Sequence, residues 1–161
     1  MEGSLLCADK EITRLYNQYV NMVYQICFLY LKNKADTEDA VQTTFIQLLS
    51  EKKAFQSEEH VKAWLIRTAS NYCKNQLKHW WRKNKDIELI TEFGNIDKVD
   101  HTLEALLQLP EKYKTVIYMY YYMGYRAEEI AKILNQKHTT IRTLLSRGRE
   151  RLKQMIGGEL S

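Results

Sequence analysis

One span of the chain combines cations with tryptophan and lacks carboxylates, a combination suited to nucleic acid. Residues 60–85 contain Trp64, Trp80 and Trp81, seven cations and no Asp or Glu. The cations are Lys62, Arg67, Lys74, Lys78, Arg82, Lys83 and Lys85. Cations can follow a sugar-phosphate backbone while aromatic rings stack on unpaired bases. The span therefore predicts contact with a separated strand.

Winding residues 61–82 as a helix, at ~100° per residue, separates an apolar side from a cationic side. The apolar side holds Val61, Leu65, Ala69, Tyr72, Cys73 and Trp80. The opposite side holds Trp64, Arg67, Asn71, Lys74, Asn75, Lys78 and Arg82, with Trp81 at its edge. Trp80 is therefore predicted to pack inside. A merely solvated face usually mixes charge signs, and a membrane-surface helix needs a broader apolar side, so both alternatives are less favoured.

A second pattern, near the C-terminus, predicts a helix-turn-helix that binds duplex DNA. The segment reads EEIAKILNQKHTTIRTLLSRGRERL, residues 128–152. Ala131 allows close helix approach, and Asn135 tolerates the left-handed backbone of the turn. Four apolar residues fill the inner positions, namely Ile130, Leu134, Ile141 and Leu144, and Leu145, Gly148 and Leu152 extend that stripe. Arg142, Thr143, Ser146 and Arg147 point outward, and Lys137, His138, Thr139 and Thr140 lie near phosphates at the N-terminal end.

Catalytic and metal-binding patterns are missing from the sequence. It contains no phosphate-binding GxxxxGK[ST] loop, no metal cluster and no nucleophile paired with a base, so we expect neither enzymatic activity nor a cofactor. Cys7, Cys27 and Cys73 are widely spaced and odd in number, which indicates reduced, packed thiols. No stretch approaches ~18 uninterrupted apolar residues, so we expect a cytoplasmic protein without membrane insertion.

Composition and periodicity predict an all-α fold of two small helical domains. The 161 residues are 45% hydrophobic and 27% charged, and they include one Pro and six Gly. Apolar residues recur at helical spacing from Glu11 to about Asn33, in a second helix capped by Asp36, and from about Ser57 to Lys83. Residues 86–101 are acidic and weakly periodic, which indicates a linker between domains 1–85 and 102–161. Pro110 fits the first turn of a helix that ends at Gly124.

The order of these parts resembles the extracytoplasmic-function (ECF) group of bacterial sigma-70 RNA polymerase sigma factors. DTEDAVQTTFIQLL (residues 36–49) resembles region 2.2, and AWLIRTASNYCKNQLKHWWRK (residues 63–83) resembles regions 2.3 and 2.4. LPEKYKTVIYMYYYMGYRAEEIAKIL together with TTIRTLLSRGRERL resembles region 4. The short linker leaves no room for regions 1.1 or 3, which favours the ECF group. The resemblance implies a region 2 bundle and a region 4 helix-turn-helix joined by the acidic linker.

The resemblance also implies partners and contact residues. Expected partners are core RNA polymerase, through its β′ clamp helices and β flap, promoter DNA as duplex and single strand, and an anti-sigma factor. Asp39, Gln42, Phe45 and Leu48 would face polymerase. The minus-10 strand would meet Gln56, Ser57, Glu58, His60, Trp64, Arg67, Asn71, Asn75, Lys78, Trp81 and Arg82. The minus-35 duplex would meet Lys137, His138, Thr139, Thr140, Arg142, Thr143, Ser146 and Arg147.

Several residues depart from the family pattern. Arg126 replaces a Ser or Thr helix cap, which would cost about 0.5–2 kcal/mol unless Glu129 compensates. Gly148 replaces Ala and weakens the recognition helix slightly, Leu144 occupies a position often basic, and Gln136 one that is normally apolar. Asn75, where an acidic residue is common, makes the minus-10 face more cationic.

Two alternatives to a sigma factor remain open. One is a stand-alone helix-turn-helix regulator, which leaves the acid-free helix without a role. The other is a helical adaptor that uses the run YMYYYMGY, residues 118–125, as a docking surface. We expect that run to lie mostly in the core, because a tyrosine can bury its ring and keep its hydroxyl wet.

Overall fold

The computed structural model describes residues 2–51, 55, 57–83 and 101–156, with side chains for 10–51, 55, 57–79 and 104–156. These residues form seven α-helices and no strand, which confirms the all-α prediction. The helices are α1 (Glu2–Leu31), α2 (Lys34–Ser50), α3 (Glu58–Lys83), α4 (His101–Gln108), α5 (Glu111–Tyr121), α6 (Ala127–Leu134) and α7 (His138–Ile156). None of these helices is long and apolar enough to cross a membrane.

Helices α1, α2 and α3 pack against one another as a three-helix group. Apolar side chains at helical spacing supply its core, because burying each one contributes roughly 1.5–3 kcal/mol. The fully or nearly fully buried residues include Val23, Ile26, Ala40, Leu65, Ile66 and Ala69. Cys27 and Cys73 lie in this core as free thiols, and a hydrogen bond between the two thiols, together with burial, raises the pKa of Cys73. Cys7 falls outside the described side chains.

The prediction that Asp36 caps α2 is wrong by one turn. Asn33 is the cap, and its side-chain oxygen accepts a hydrogen bond from the Asp36 backbone N–H at 2.8 Å. The Asn33 amide in turn donates to the Asp36 carboxylate at 2.8 Å. Asn33 has the extended backbone of a cap residue, whereas Asp36 already lies in the first turn, where its charge complements the helix dipole.

Helices α4, α5, α6 and α7 form the second group, in which α7 contacts the other three. Pro110 precedes the first residue of α5 rather than lying in its first turn, and α5 ends at Tyr121, before Gly124. Gly124 has a φ of +74°, so it turns the chain after the helix has ended. Helix α4 already begins at His101, the last residue assigned to the linker. The remaining linker residues, 86–100, lie outside the described residues.

The turn of the helix-turn-helix has the predicted geometry. Asn135 takes the left-handed conformation, with φ 55° and ψ 47°. The Gln136 N–H then reaches back to the Ala131 carbonyl at 2.9 Å, which closes the end of α6. Ile130, Ala131, Ile141, Leu145, Gly148 and Leu152 are buried as expected, while Leu134 and Leu144 are half-buried. This turn therefore follows from its sequence alone.

Gly148 has a packing role that helix propensity does not predict. A Cβ at this position would lie 2.8 Å from both Cγ1 and Cδ1 of Ile117 and 3.4 Å from the Tyr113 Cβ. Real Cβ atoms do not approach carbon this closely, so the missing side chain lets α7 lie against α5. The departure from Ala costs some helix propensity and permits this close contact.

We expect Gly148→Ala to destabilise the protein despite its better helix propensity. The substitution gains about 0.8–1 kcal/mol of propensity. Overpacking a close contact costs ~1–3 kcal/mol, and rotating the Ile117 end methyl does not move Cγ1 away. The net loss in the free energy of unfolding should be about 1 kcal/mol, measured by urea denaturation of the full chain. Ile117→Val removes Cδ1, so the double variant should lose less than the sum of the two single losses. Strictly additive losses would contradict the contact.

Candidate nucleic-acid interface

Helix α3 presents the two sides that its sequence predicts. Val61, Leu65, Ala69 and Cys73 are buried, and Tyr72 is half-buried. On the opposite side, Asn71, Asn75 and Lys78 are exposed, whereas Arg67 and Lys74 are half-buried. The predicted burial of Trp80 and the predicted strand contacts of Trp81 and Arg82 lie outside the described side chains.

Arg67, Asn71 and Lys74 come together at a cleft of about 230 Å³ between α3 and the second helix group. Lys112, Thr115, Gln136 and Leu144 line its other side, and no carboxylate is among the described residues that line it. Burial lowers the pKa of Lys74, and the nearby charge of Lys78 lowers it further, although Glu111 opposes this. The residues that line the cleft thus bring positive charge together, which suits phosphate oxygens.

Trp64 is less open than the sequence suggests. Its indole is half-buried and packs against the core. The Phe55 ring meets it edge-to-face, with centroids 6.1 Å apart, and also meets the His60 imidazole at 5.3 Å. Trp64 therefore belongs to an aromatic cluster at the start of α3, with only part of its face available for stacking.

The segment expected to capture a flipped base lies at the start of α3. Ser57, Glu58 and His60 are exposed, and the Ser57 hydroxyl accepts a hydrogen bond from the His60 N–H at 3.2 Å. The Glu58 carboxylate accepts a bond from Arg14 at 2.5 Å and one from the Gln18 amide at 3.3 Å, so it fastens α3 to α1. Gln56 lies outside the described residues. Of the proposed base contacts, Glu58 thus already has a structural role.

All eight residues proposed to contact the minus-35 duplex are exposed at the beginning and on the outer side of α7. Thr143 donates its hydroxyl hydrogen to the Thr139 carbonyl at 3.0 Å. Arg142 and Ser146 also border a groove of about 380 Å³ together with Tyr120 and Arg149. At the start of α6, Glu129 accepts bonds from the Arg126 backbone N–H at 3.0 Å and its Nε at 3.2 Å. The first of these bonds satisfies the backbone N–H of Arg126, the residue that replaces the usual Ser or Thr cap.

The prediction for the surface of α2 needs a correction. Asp39 and Gln42 are exposed, but Phe45 and Leu48 are 5% and 3% exposed and belong to the core. The exposed apolar residues of this helix are Ile46 and Leu49, at 59% and 58%. Phe45 and Leu48 lie three residues apart, on the side of α2 that is buried against the other helices of the first group. The polymerase would therefore contact Ile46 and Leu49, the residues that follow them in the sequence.

The tyrosine run is also less buried than expected. Tyr118, Met119 and Tyr125 are buried, but Tyr120, Tyr121 and Tyr122 are between 38% and 43% exposed. The hydroxyl of Tyr118 donates to the Gln25 amide oxygen of α1, and burial raises its pKa to about 12. Three of the eight residues of the run are therefore core, and its three central tyrosines lie at the surface.

The sequence patterns missed a group of buried polar residues between the two helix groups. Lys114 is 2% exposed, and Thr115 is 3% exposed beside it. Lys114 shares its helix face with Ile117, Tyr118 and Tyr121, at spacings of three, four and seven residues. The sequence did contain one sign of this group, because Lys114 is a cation on a helix face that is otherwise apolar.

Comparison with known proteins places both helix groups in one family. Residues 15–83 match the model of sigma-70 region 2, and residues 102–152 match that of sigma-70 region 4. RNA polymerase sigma factor SigV of Bacillus subtilis is 33% identical over 129 residues, covering 77% of this chain and 78% of the relative. ECF RNA polymerase sigma factor SigW of the same organism is 27% identical, covering 86% and 84%.

The fold is similar to that of a solved sigma factor. RpoE from Bartonella quintana, in complex with the anti-sigma factor NepR, aligns with a TM-score of 0.75 and 21% identity over 93% of this chain and 99% of that chain. Neither a stand-alone regulator nor an adaptor is favoured, because the chain matches sigma-70 region 2 in addition to region 4. The chain is an RNA polymerase sigma factor of the sigma-70 family and belongs to the ECF group.

Proposed function

We propose that this sigma factor brings core RNA polymerase to promoters by reading a minus-35 duplex with α7 and holding a melted minus-10 strand on α3. The observation that carries the proposal is the acid-free side of α3, where Arg67, Asn71, Lys74 and Lys78 follow one another along the helix. Such a side forgoes the stabilising ion pairs of a solvated helix, which is reasonable if phosphates supply the negative charge.

At the minus-35 element, the exposed side of α7 carries groups suited to the major groove. Arg142 and Arg147 can each donate two hydrogen bonds to the O6 and N7 of guanine, and Thr143 and Ser146 can bond base edges or phosphates. Lys137 and His138 lie at the helix start, where backbone N–H groups also attract phosphate. The phosphate contacts would fix the position of this helix on the duplex, and the base contacts would select the sequence.

At the minus-10 element, capture of separated bases drives melting without chemistry. Each base stacked on an aromatic ring contributes ~1–3 kcal/mol, against a few kcal/mol for taking it out of the duplex. The part-exposed Trp64 and the exposed amides of Asn71 and Asn75 are the candidate base contacts. The protein therefore needs no catalytic group of its own, and polymerase supplies the remaining contacts.

The polymerase would meet α2 through a surface with an apolar centre. Ile46 and Leu49 form that centre, with Asp39 and Gln42 on the same exposed surface, and the β′ clamp helices are the proposed partner. The β flap is the proposed partner of the second helix group. An anti-sigma factor is a further proposed partner, supported by the fold shared with an RpoE that binds NepR.

Charge reversal on α3 should separate strand capture from the other contacts. We expect Lys78→Glu to reduce initiated transcripts by about tenfold, because one phosphate contact is replaced by repulsion. The measurement is in vitro transcription with Bacillus subtilis core polymerase on a promoter library. Lys10→Glu changes an exposed lysine of α1 by the same charge and should initiate like the wild type. Equal losses in the two variants would contradict a specific role for α3.

Substitutions in α7 should distinguish base readout from phosphate contact. On a minus-35 duplex selected from that library, Arg142→Ala should weaken binding by about 1–3 kcal/mol and relax the preference at one base pair. Lys137→Ala should weaken binding to all sequences alike and reduce the salt dependence by about one phosphate. Competition binding at two salt concentrations measures both effects. A uniform loss for Arg142→Ala would show that this arginine reads no base.

An acidic substitution on the apolar centre of α2 should weaken polymerase binding. We expect Leu49→Glu to raise the Kd for core polymerase by about tenfold or more, because it places a charge where apolar surface would be buried. Gln47→Glu adds the same charge to an adjacent exposed position outside that centre and is the matched control. Binding is measured with labelled full-length protein. If the two variants bind core equally, polymerase does not use this surface.

A further inference from the structure

The cleft between α3 and the second helix group is lined mainly by hydrogen-bond donors. Arg67 and Lys74 lie on its α3 side, and Lys112 lies on the side of α5. Two hydroxyl groups and two side-chain amides also line it, those of Ser70, Thr115, Asn71 and Gln136. Because none of the described residues that line the cleft is acidic, the group that complements it is an anion.

The protein compensates only part of the positive charge of this cleft. Burial lowers the pKa of Lys74, and the charge of Lys78 adds to that shift, while Glu111 opposes it. Lys114 is engaged elsewhere, because its ammonium group donates a hydrogen bond to the Leu29 carbonyl of α1 at 2.6 Å. An anion between the two sides of the cleft would offset the repulsion among the cations that line it.

A directed chain of hydroxyl groups ends at the cleft. The Thr115 hydroxyl donates to the Ser70 hydroxyl at 3.2 Å, so the bond between Tyr30 and Thr115 uses the hydrogen of the Tyr30 phenol. The Ser70 oxygen accepts in this chain, and its own hydrogen has no acceptor among the described residues. Ser70 is 2% exposed and lines the cleft. A buried donor is costly when unpaired, so an acceptor that enters the cleft gains this bond.

Apolar side chains form the rest of the lining. Val116 and Ile141 are buried, and Leu134 and Leu144 are half-buried. Charges attract each other more strongly beside apolar surface than in open water. The cleft therefore combines several donors with surroundings in which their bonds to an anion are strengthened.

The size of the cleft and the spacing of its cations favour a small, elongated anion. Its volume of about 230 Å³ is below the roughly 300–1,000 Å³ of sites that hold drug-sized molecules. Arg67 and Lys74 are seven residues apart in the sequence, or about 10 Å along the axis of α3. Two linked phosphoryl groups span this distance better than one. Phosphoryl oxygens also match the paired donors of a guanidinium group and the single charge of an ammonium group.

We propose that the cleft is a binding site for inorganic pyrophosphate, in which Arg67, Lys74 and Lys112 hold the two phosphoryl groups and the Ser70 hydroxyl donates to one of their oxygens. The inference needs only the cleft and its lining residues, so it does not rest on the proposed function. Arg67 and Lys74 also belong to the proposed promoter-strand surface, and pyrophosphate would compete with the strand for them.

Calorimetric titration of the full chain with sodium pyrophosphate measures the site directly. With the ionic strength held constant by sodium chloride, we expect one saturable site per chain and a Kd below about 1 mM. Orthophosphate has a single phosphoryl group, and citrate carries several charges without phosphoryl oxygens, so each should bind at least about tenfold more weakly. Absence of saturable binding, or equal affinity for the three anions, would overturn the assignment.

Substitution of Lys112 tests the cleft from the second helix group, away from the proposed promoter contacts. Lys112 is exposed, so Lys112→Gln should leave the fold intact. We expect the Kd for pyrophosphate to rise at least about fivefold, because one charged contact is lost. Lys132→Gln removes an exposed lysine of α6 outside the cleft and should bind like the wild type. The same Kd for both variants would contradict the site.

Backbone amide chemical shifts locate the bound anion without any substitution. In the full chain, saturating pyrophosphate should shift the signals of Ser70, Asn71 and Gln136 most. Largest shifts at Arg142 and Arg147 would instead place the anion on the outer side of α7 and would overturn the inference.

These measurements are independent of transcription. If the wild type initiates with core on no promoter of the library, the proposed function fails, and the titration still decides whether the cleft binds pyrophosphate. If pyrophosphate shifts no signal from the cleft, the inference fails, whatever transcription shows.

Discussion

Helix α3 has to satisfy two environments at once, and the rest of the structure depends on how it does so. One side buries Leu65, Ile66 and Ala69 against α1 and α2. The other side keeps Arg67, Lys74 and Lys78 without acidic neighbours on the same helix, which sacrifices the ion pairs of an ordinary surface helix. Packing on the first side fixes the orientation of the second. A shift of one residue would turn the cations into the core, so the apolar stripe also determines where a promoter strand can bind.

The second helix group also packs against α3. The cleft between the groups gathers Arg67, Lys74 and Lys112, whose mutual repulsion disfavours docking. The buried bonds of Lys114 and Thr115 act in the opposite direction, with apolar contacts around them. The contact between the two helix groups thus combines charge repulsion in the cleft with buried hydrogen bonds and apolar packing, which oppose that repulsion.

Local chemistry made much of this architecture predictable. The two sides of α3 and the stripe of α7 follow from helical periodicity, and the left-handed Asn135 follows from its tolerance of that conformation. Other features depend on which surfaces meet in three dimensions. Phe45 and Leu48 differ from Ile46 and Leu49 only by one step around α2, and apolar character alone could not decide which pair faces the core. From the sequence, Gly148 only weakens its helix. Its packing role becomes evident from the structure, where Ile117 lies directly against it.

The docking of α5 lay furthest from what the sequence could predict. Lys114 and Tyr30 are separated by more than eighty positions, and each looks ordinary in its own helix. Only the tertiary arrangement pairs the lysine with a carbonyl and the tyrosine with Thr115. The Asp36 assignment failed for a more local reason, since Asn33 and Asp36 are both good cap residues and backbone conformation alone decides between them.

The most direct test of the central claim is to map where each part of a promoter contacts this protein in an initiation complex. Photoreactive bases would be placed in the minus-10 strand and in the minus-35 duplex, and the cross-linked peptides identified by mass spectrometry. The account predicts that the strand labels peptides of α3 containing Arg67 to Lys78, and that the duplex labels the first half of α7. Cross-links from the strand to α2 or α7, with α3 unlabelled, would contradict it.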